Sequence, residues 1–318
     1  MIRRRRFGKK FFKSLLPIVL LLAVAIVLAL GYVIYTTTRP PRGGYLVTPE
    51  AFAQISGPAL KVSDQNWRNR DKTIARGWLL KGAEGAPAVI LLHRYGGDRS
   101  LLFNLGVKIN EATNFTILWP DLRGHGLNPS VKWTSFGTNE GDDVLSEIDF
   151  LRTLKTGKGT PQVGDHLGLY GVELGSYAAL RAAQRDPNVR VLVLDSVPRD
   201  ADELLQAAVR NELDVDNGPV RLLTRAAIRA YFLGRYENPA ACDLAGSLGG
   251  RHALLLSGPD AGYLSEATAA LAHCFPGSTT VEAKTDLPLS GFKLPSATGE
   301  AGEGYDRQVI DFFNMNLR

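Results

Sequence analysis

The sequence predicts an α/β protein, with a mostly parallel sheet covered by helices on both faces and one membrane-crossing helix ahead of it. Three observations carry that expectation. Short apolar runs recur at Pro87–His93, Phe115–Trp119, Leu167–Gly171, Val189–Asp195 and His252–Ser257, and continuous hydrophobicity marks strands buried on both faces. Helical stretches stand between most of them, as crossover connections in a parallel sheet require. Ahead of all this, Ser14–Thr38 runs for 25 residues without a charge.

Taken in order, residues 1–13 are a basic tail. Of the 37 basic residues in this 318-residue chain, seven fall in Met1–Lys13, and the rest of the chain holds 30 against 32 acids. The formal charge of +5 therefore belongs to the tail, and a nucleic-acid-binding surface is excluded. Residues 14–35 read as a transmembrane helix, since about 20 apolar residues cross a bilayer core. Pro17 falls in its first turn, where a missing N–H costs little, and Tyr32 and Tyr35 suit the far interface. Positive charge ahead of the span predicts a cytoplasmic amino terminus and an extracytoplasmic domain. A signal peptide cleaved near Ala29-Leu30-Gly31 is the competing reading, but the apolar run continues past that site. Residues 36–44 are a linker by composition, and residues 45–318 form one domain.

Within that domain Lys72–Lys81 reads as a half-buried strand, followed by the strand Pro87–His93, a helix over Leu101–Ala112 and the strand Phe115–Trp119. Glu140–Leu154 reads as a helix with acids in its first turn and Val144, Ile148, Phe150, Leu151 and Leu154 on one face. Leu167–Ser176 is a strand, a turn between glycines and the start of a helix that runs to Arg185. After Val189–Asp195, Asp200–Val215 and Val220–Phe232 read as helices of a strand-free, lid-like insert at about 200–235. His252–Ser257, a helix over Leu264–His273, the strand Ser278–Glu282 and a helix from about Tyr305 to Asn316 complete the chain.

Four local patterns carry a resemblance. Leu91-Leu92-His93-Arg94-Tyr95-Gly96-Gly97 is similar to an H-G-x-G-G turn, and Asp121-Leu122-Arg123-Gly124-His125-Gly126 to a D-x-R-G-H-G loop. Gly137 with Glu140, Asp143 and Val144 resembles a helix opening, and Gly171-Val172-Glu173-Leu174-Gly175 matches the elbow G-x-S-x-G except at its centre. In this order and spacing they resemble the α/β-hydrolase family, most closely its serine aminopeptidase and acyl-peptidase-like branch with membrane-anchored members. The resemblance covers nearly everything after residue 44 and implies a Ser-His-acid hydrolase. It also implies ligand contacts at His93, Tyr95 and Leu174, in the oxyanion-hole turn and the elbow.

The chemistry departs from that pattern at each member of the triad. Glu173 stands in the nucleophile position, and its carboxylate at a helix N-terminus is no hydroxyl awaiting a base. The acid implied after His252–Ser257 is Asp260 in Gly258-Pro259-Asp260-Ala261, one place early. The histidine slot, in a phrase similar to P-x-x-G-H, reads Pro288-Leu289-Ser290-Gly291-Phe292, and no histidine follows His273. Ser176 belongs inside a helix, Ser290 has no base in sight, and Asp195 reads as a loop-capping acid. His93 and His125 read as hydrogen-bonded structural residues beside the pocket.

The sequence thus points to a membrane-anchored hydrolase-like protein without the usual catalytic groups, binding a small molecule or a protein partner. The alternative is a hydrolase of ester or amide bonds working through a non-standard site. No motif calls for a cofactor or a metal: G-x-G-x-x-G, a P-loop, H-E-x-x-H and C-x-x-C are all missing. Cys242 and Cys274, the two cysteines, are expected to be either a disulfide or two buried thiols.

Overall fold

The computed structural model describes residues 2–56, 61–127, 129–214, 217–294 and 299–318. Its centre is an eight-stranded sheet ordered β1-β2-β4-β3-β5-β6-β7-β8. The strands are β1 (Val62–Arg68), β2 (Ile74–Leu80), β3 (Ala86–Leu92), β4 (Thr116–Pro120), β5 (Val163–Val172), β6 (Val189–Asp195), β7 (His252–Leu256) and β8 (Thr280–Lys284). The β1–β2 and β2–β4 pairings are antiparallel, and every pairing from β4 to β8 is parallel.

Helices α1 (Ile2–Thr37), α2 (Pro49–Ser56), α3 (Phe103–Thr113), α4 (Thr138–Thr153), α5 (Leu174–Ala183), α6 (Ala201–Leu213), α7 (Gly218–Tyr231), α8 (Ala241–Gly246), α9 (Tyr263–Leu271) and α10 (Gly299–Asn316) complete the order. On one face of the sheet Leu91, Trp119, Tyr170, Val193 and Leu256 pack with Phe103 of α3 and Phe313 of α10. The alternate residues Ile90, Leu118, Leu169 and Leu192 are equally buried, on the side where α5 contacts β3, β5 and β6 and α4 packs on α5. Both faces are dry, which is why the central strands read as unbroken apolar runs.

The chain divides into two compact units. One joins Arg39–Leu205 to Glu237–Arg318 and holds the sheet; the other joins the N-terminal helix, up to Thr38, to Gln206–Tyr236. Helix α1 is apolar and long enough over Lys13–Thr37 to cross a membrane. Its helical backbone begins at Ile2, so the basic tail continues the helix. Two sequence expectations fall partly outside the described residues, at Met1 and at Val215.

Several boundaries move. The segment read as a linker is only partly one: Thr36 and Thr37 extend α1, and Arg42 donates to the carbonyls of Gly124 (3.4 Å) and Lys132 (3.1 Å). The strand expected at Ser278–Glu282 sits two residues later, because Thr279 instead closes a turn on the Pro276 carbonyl. The last helix starts six residues early, at Gly299. Phe150 is only half-buried and stacks on Trp67 of β1 at 5.0 Å, since i+2 from Ile148 turns away from the helix's core stripe. Helix α2, strand β1 and helix α8 lie where no element was expected. Cys242 of α8 and Cys274 form a disulfide, the first of the two cysteine alternatives; closing a loop of 32 residues contributes about 4 kcal/mol.

Candidate active site

The site stands at the carboxyl end of β5, where strand turns into α5. Glu173 has φ 51° and ψ −106°, a conformation costing a non-glycine residue about 1–3 kcal/mol. Two glycines make the turn possible. A Cβ on Gly171 would lie 2.4 Å from the Gly175 carbonyl carbon, and one on Gly175 would lie 2.2 Å from the Leu92 oxygen. The strained peptide is held from both sides: Glu173 N–H donates to the Asp195 carbonyl at 3.0 Å, and Tyr177 N–H donates to the Glu173 carbonyl at 3.1 Å.

The Glu173 side chain turns inward and is 8% exposed. Oε2 accepts the Tyr95 N–H at 3.0 Å, and the neighbouring Leu174 N–H favours its negative charge. One donor follows the nucleophile position and the other comes from the loop after β3, the pair that forms an oxyanion hole at such an elbow. Glu173 therefore occupies the hole with its own carboxylate. The extra methylene that separates Glu from Asp lets the side chain curl back onto the donors beside it. Burial raises its pKa to about 7, against the two N–H groups and the Arg94 charge, which lower it.

The Tyr95 N–H is thus already taken. The Leu174 side chain is buried in the core. The Tyr95 ring stacks on Phe136 at 5.7 Å and meets His125 edge-on at 5.7 Å. Arg94 lies over the Phe292 ring, 5.6 Å from its centroid, so the residue in the histidine slot packs beside the cation that faces Glu173.

The two histidines are buried and bonded to backbone. His93 Nδ1 donates to the Arg94 carbonyl (2.8 Å) and its Nε2 accepts the Leu122 N–H (3.0 Å), which fixes a neutral ring; burial lowers its pKa to about 4. His125 Nδ1 donates to the Arg123 carbonyl at 2.8 Å, and burial followed by the neighbouring His93 lowers its pKa to about 3. Arg123 pairs with Asp143 of α4 at 2.6 Å and Asp71 at 2.8 Å, tying together two of the four sequence patterns. Ser176 points into the core, donating to the carbonyls of Gly171 (2.6 Å) and Asp195 (2.8 Å).

Asp260 and Ser290 come together, though not as acid and histidine. Asp260 Oδ1 accepts the Ser290 N–H and Oδ2 accepts the Ser290 hydroxyl, both at 2.8 Å. Asp195, expected as a loop-capping acid, holds the same loop from the other side. Fully buried, its Oδ2 accepts the Gly291 N–H (2.9 Å) and the Tyr305 hydroxyl (2.7 Å), while Oδ1 accepts the Ser196 hydroxyl (2.5 Å). Burial raises its pKa to about 6 against those three donors, with Asp260 adding to the rise. Its place at a strand end was the only signal, and nothing local links it to Tyr305, 110 residues away.

Behind this loop a cavity of about 520 Å³ is bounded by Leu287, Leu289, Ala301 and Tyr305. Among the described residues no cluster of three His, Cys, Asp or Glu side chains is placed to hold a metal.

The Pyrococcus furiosus esterase Pf2001 superposes with a TM-score of 0.62 at 18% identity, over 88% of this chain and 100% of that one. The chain has the α/β-hydrolase fold. A 2,6-dihydroxy-pseudo-oxynicotine hydrolase matches over 92% of this chain and 80% of its own, at 15% identity and a TM-score of 0.59. A thermophilic esterase from Thermogutta terrifontis matches over 80% and 100%, at 18% identity and a TM-score of 0.53. No protein-family model matches the chain, and none of the curated proteins does.

Proposed function

We propose that this α/β-hydrolase-fold chain is a membrane-anchored pseudoenzyme that binds a small molecule or a protein instead of turning over a substrate. The observation that carries this reading is the Glu173 carboxylate seated on the Tyr95 N–H, beside that of Leu174. A substrate carbonyl would have to displace it to reach them, and even then no hydroxyl stands at the elbow. No good imidazole base stands there either: Phe292 fills the histidine slot, His93 Nε2 already accepts the Leu122 N–H, and burial with His93 alongside lowers the His125 pKa to about 3, which makes it a weak base. Asp260, the position of the triad acid, holds Ser290. The cavity beside Leu287 and Tyr305 is the place for a small ligand.

Residues 1–13 are then the cytoplasmic tail and residues 14–35 the membrane span. Residues 45–318 lie outside, as the positive-inside rule directs, with the insert at about 200–235 on that side too. The Cys242–Cys274 disulfide supports an oxidising, extracytoplasmic location.

A second reading, a hydrolase that uses Glu173 itself, draws on the raised pKa near 7, which suits a general base. One experiment separates the two. The full chain is assayed against a panel of acyl esters and aminoacyl amides, beside Glu173→Ala and Glu173→Ser, and each is exposed to a fluorophosphonate probe. We expect no turnover above background from any form, and no labelling even of Glu173→Ser, which still lacks a base. Turnover by the natural chain that Glu173→Ala abolishes would sink the pseudoenzyme reading.

A further inference from the structure

Helix α7 presents an outward face that the fold leaves open. It packs on α1 and buries Thr224 and Ile228, four residues apart and hence on one side. Leu222 and Leu223 look the other way, 68% and 42% exposed, and Ala226 and Ala230 continue the same exposed strip. Arg221, Arg225 and Arg229, also spaced by four, form an exposed ridge along one edge of it. From Gly218 to Arg235 the sequence holds four arginines and no acid. An apolar strip edged by arginines is the composition of a helix that lies flat in a membrane interface.

The position of α7 along α1 agrees with that composition. Every residue of α1 from Lys13 to Ala29 is exposed, whereas Val33, Ile34 and Thr37 are buried, so α7 meets α1 in its last turns. The apolar span of 25 residues is about 37 Å long at 1.5 Å per residue, against a hydrocarbon core of about 30 Å. Its end therefore stands among the lipid headgroups, and α7 stands there with it.

We infer that α7 is an interfacial membrane helix, with its apolar strip among the upper acyl carbons and its arginine ridge on anionic phospholipid headgroups. This rests on the reading of α1 as a membrane anchor. Apolar burial and attraction to negative headgroups act together in such helices, and each arginine near an anionic surface adds to the binding. The apolar residues give depth; the arginines give the preference for anionic lipid.

The two cysteines of the chain form a disulfide, so Leu222→Cys introduces a single labelling site. The full chain carrying an environment-sensitive fluorophore at that thiol is reconstituted into phosphatidylcholine vesicles, with and without phosphatidylglycerol. Ala230→Cys serves as a second site on the same strip. With phosphatidylglycerol present we expect blue-shifted emission and quenching by spin labels placed high on the acyl chain. The inserted fraction should fall roughly fivefold for each arginine neutralised in Arg225→Gln and Arg229→Gln. Water-like emission at both sites from protein that floats with the vesicles and resists carbonate extraction overturns the inference about α7 and leaves the anchor standing. Protein that fails to float overturns the anchor, and the inference with it. Quenching that is equal with and without phosphatidylglycerol overturns the headgroup recognition.

Discussion

The elbow and the loop that faces it depart from a hydrolase in opposite ways. At the elbow the backbone geometry is intact: Gly171 and Gly175 are in place, Glu173 keeps φ near 51°, and the Tyr95 N–H faces it. Only the side chain differs, and it fills the space the geometry leaves. In the loop Ser290–Phe292 the donor of chemistry is missing outright, and the backbone is held by carboxylates, Asp195 on Gly291 and Asp260 on Ser290. One element links the two regions. In both, a carboxylate accepts a backbone N–H: Glu173 from Tyr95, Asp195 from Gly291, Asp260 from Ser290. Acids in both regions fix loops, because a buried loop needs acceptors for its N–H groups.

The largest test of that view is Asp195→Ala. It strands the Gly291 N–H, the Ser196 hydroxyl and one partner of Tyr305 in a dry environment. At about 1–3 kcal/mol for each unsatisfied buried donor, the expected loss is about 3–5 kcal/mol. Urea unfolding of the full chain in detergent measures it. Asp195→Asn keeps an acceptor and should cost much less. If the two substitutions cost the same, the carboxylate acts through its charge and the loop-fixing account fails.

Glu173 comes next, and it depends on pH. Its folded pKa of about 7 lies above the ordinary 4.5, so the proton is held more tightly in the folded chain. The resulting contribution to stability is complete below pH ~4.5 and is lost as pH rises through ~7. Glu173→Gln carries no such dependence. It should match the natural chain at pH 4 and exceed it at pH 8 by up to about 3 kcal/mol, at 1.4 kcal/mol for each pH unit between the two pKa values. A variant that is less stable at pH 8 would mean that the two N–H groups reward a negative charge as strongly as they would a reacting oxyanion.

The sheet was legible because both its faces are buried, so each central strand announced itself as an apolar run. Strand β1 was not, because its burial is partial and its sequence, Val-Ser-Asp-Gln-Asn-Trp-Arg, is polar at an edge. The elbow was legible through its glycines, which no other residue can replace at that approach. What Glu173 does there was not. Direction of a side chain depends on donors 78 residues away, and a motif records spacing along the chain only. The same holds for Asp195: a strand-end acid suggested a cap, and the partners that make it the centre of the loop come from Gly291 and Tyr305.

The smallest effect discriminates most finely between a relic of catalysis and a working part of the fold. Asp260 is half-buried, so Ser290→Ala, which removes only the hydroxyl's bond, should cost about 0.5–1.5 kcal/mol, and Asp260→Ala, which removes both, about 1–3 kcal/mol. Their double-mutant cycle should give a coupling of about 1 kcal/mol, since each residue's main partner in this contact is the other. A vestigial acid, kept by inertia and merely near Ser290, would show additive costs and no coupling. Coupling of the expected size would mean that the displacement by one residue, from G-x-x-D to Gly258-Pro259-Asp260, brought the carboxylate to the serine. Asp260 and Ser290 would then act as one unit that fixes the loop.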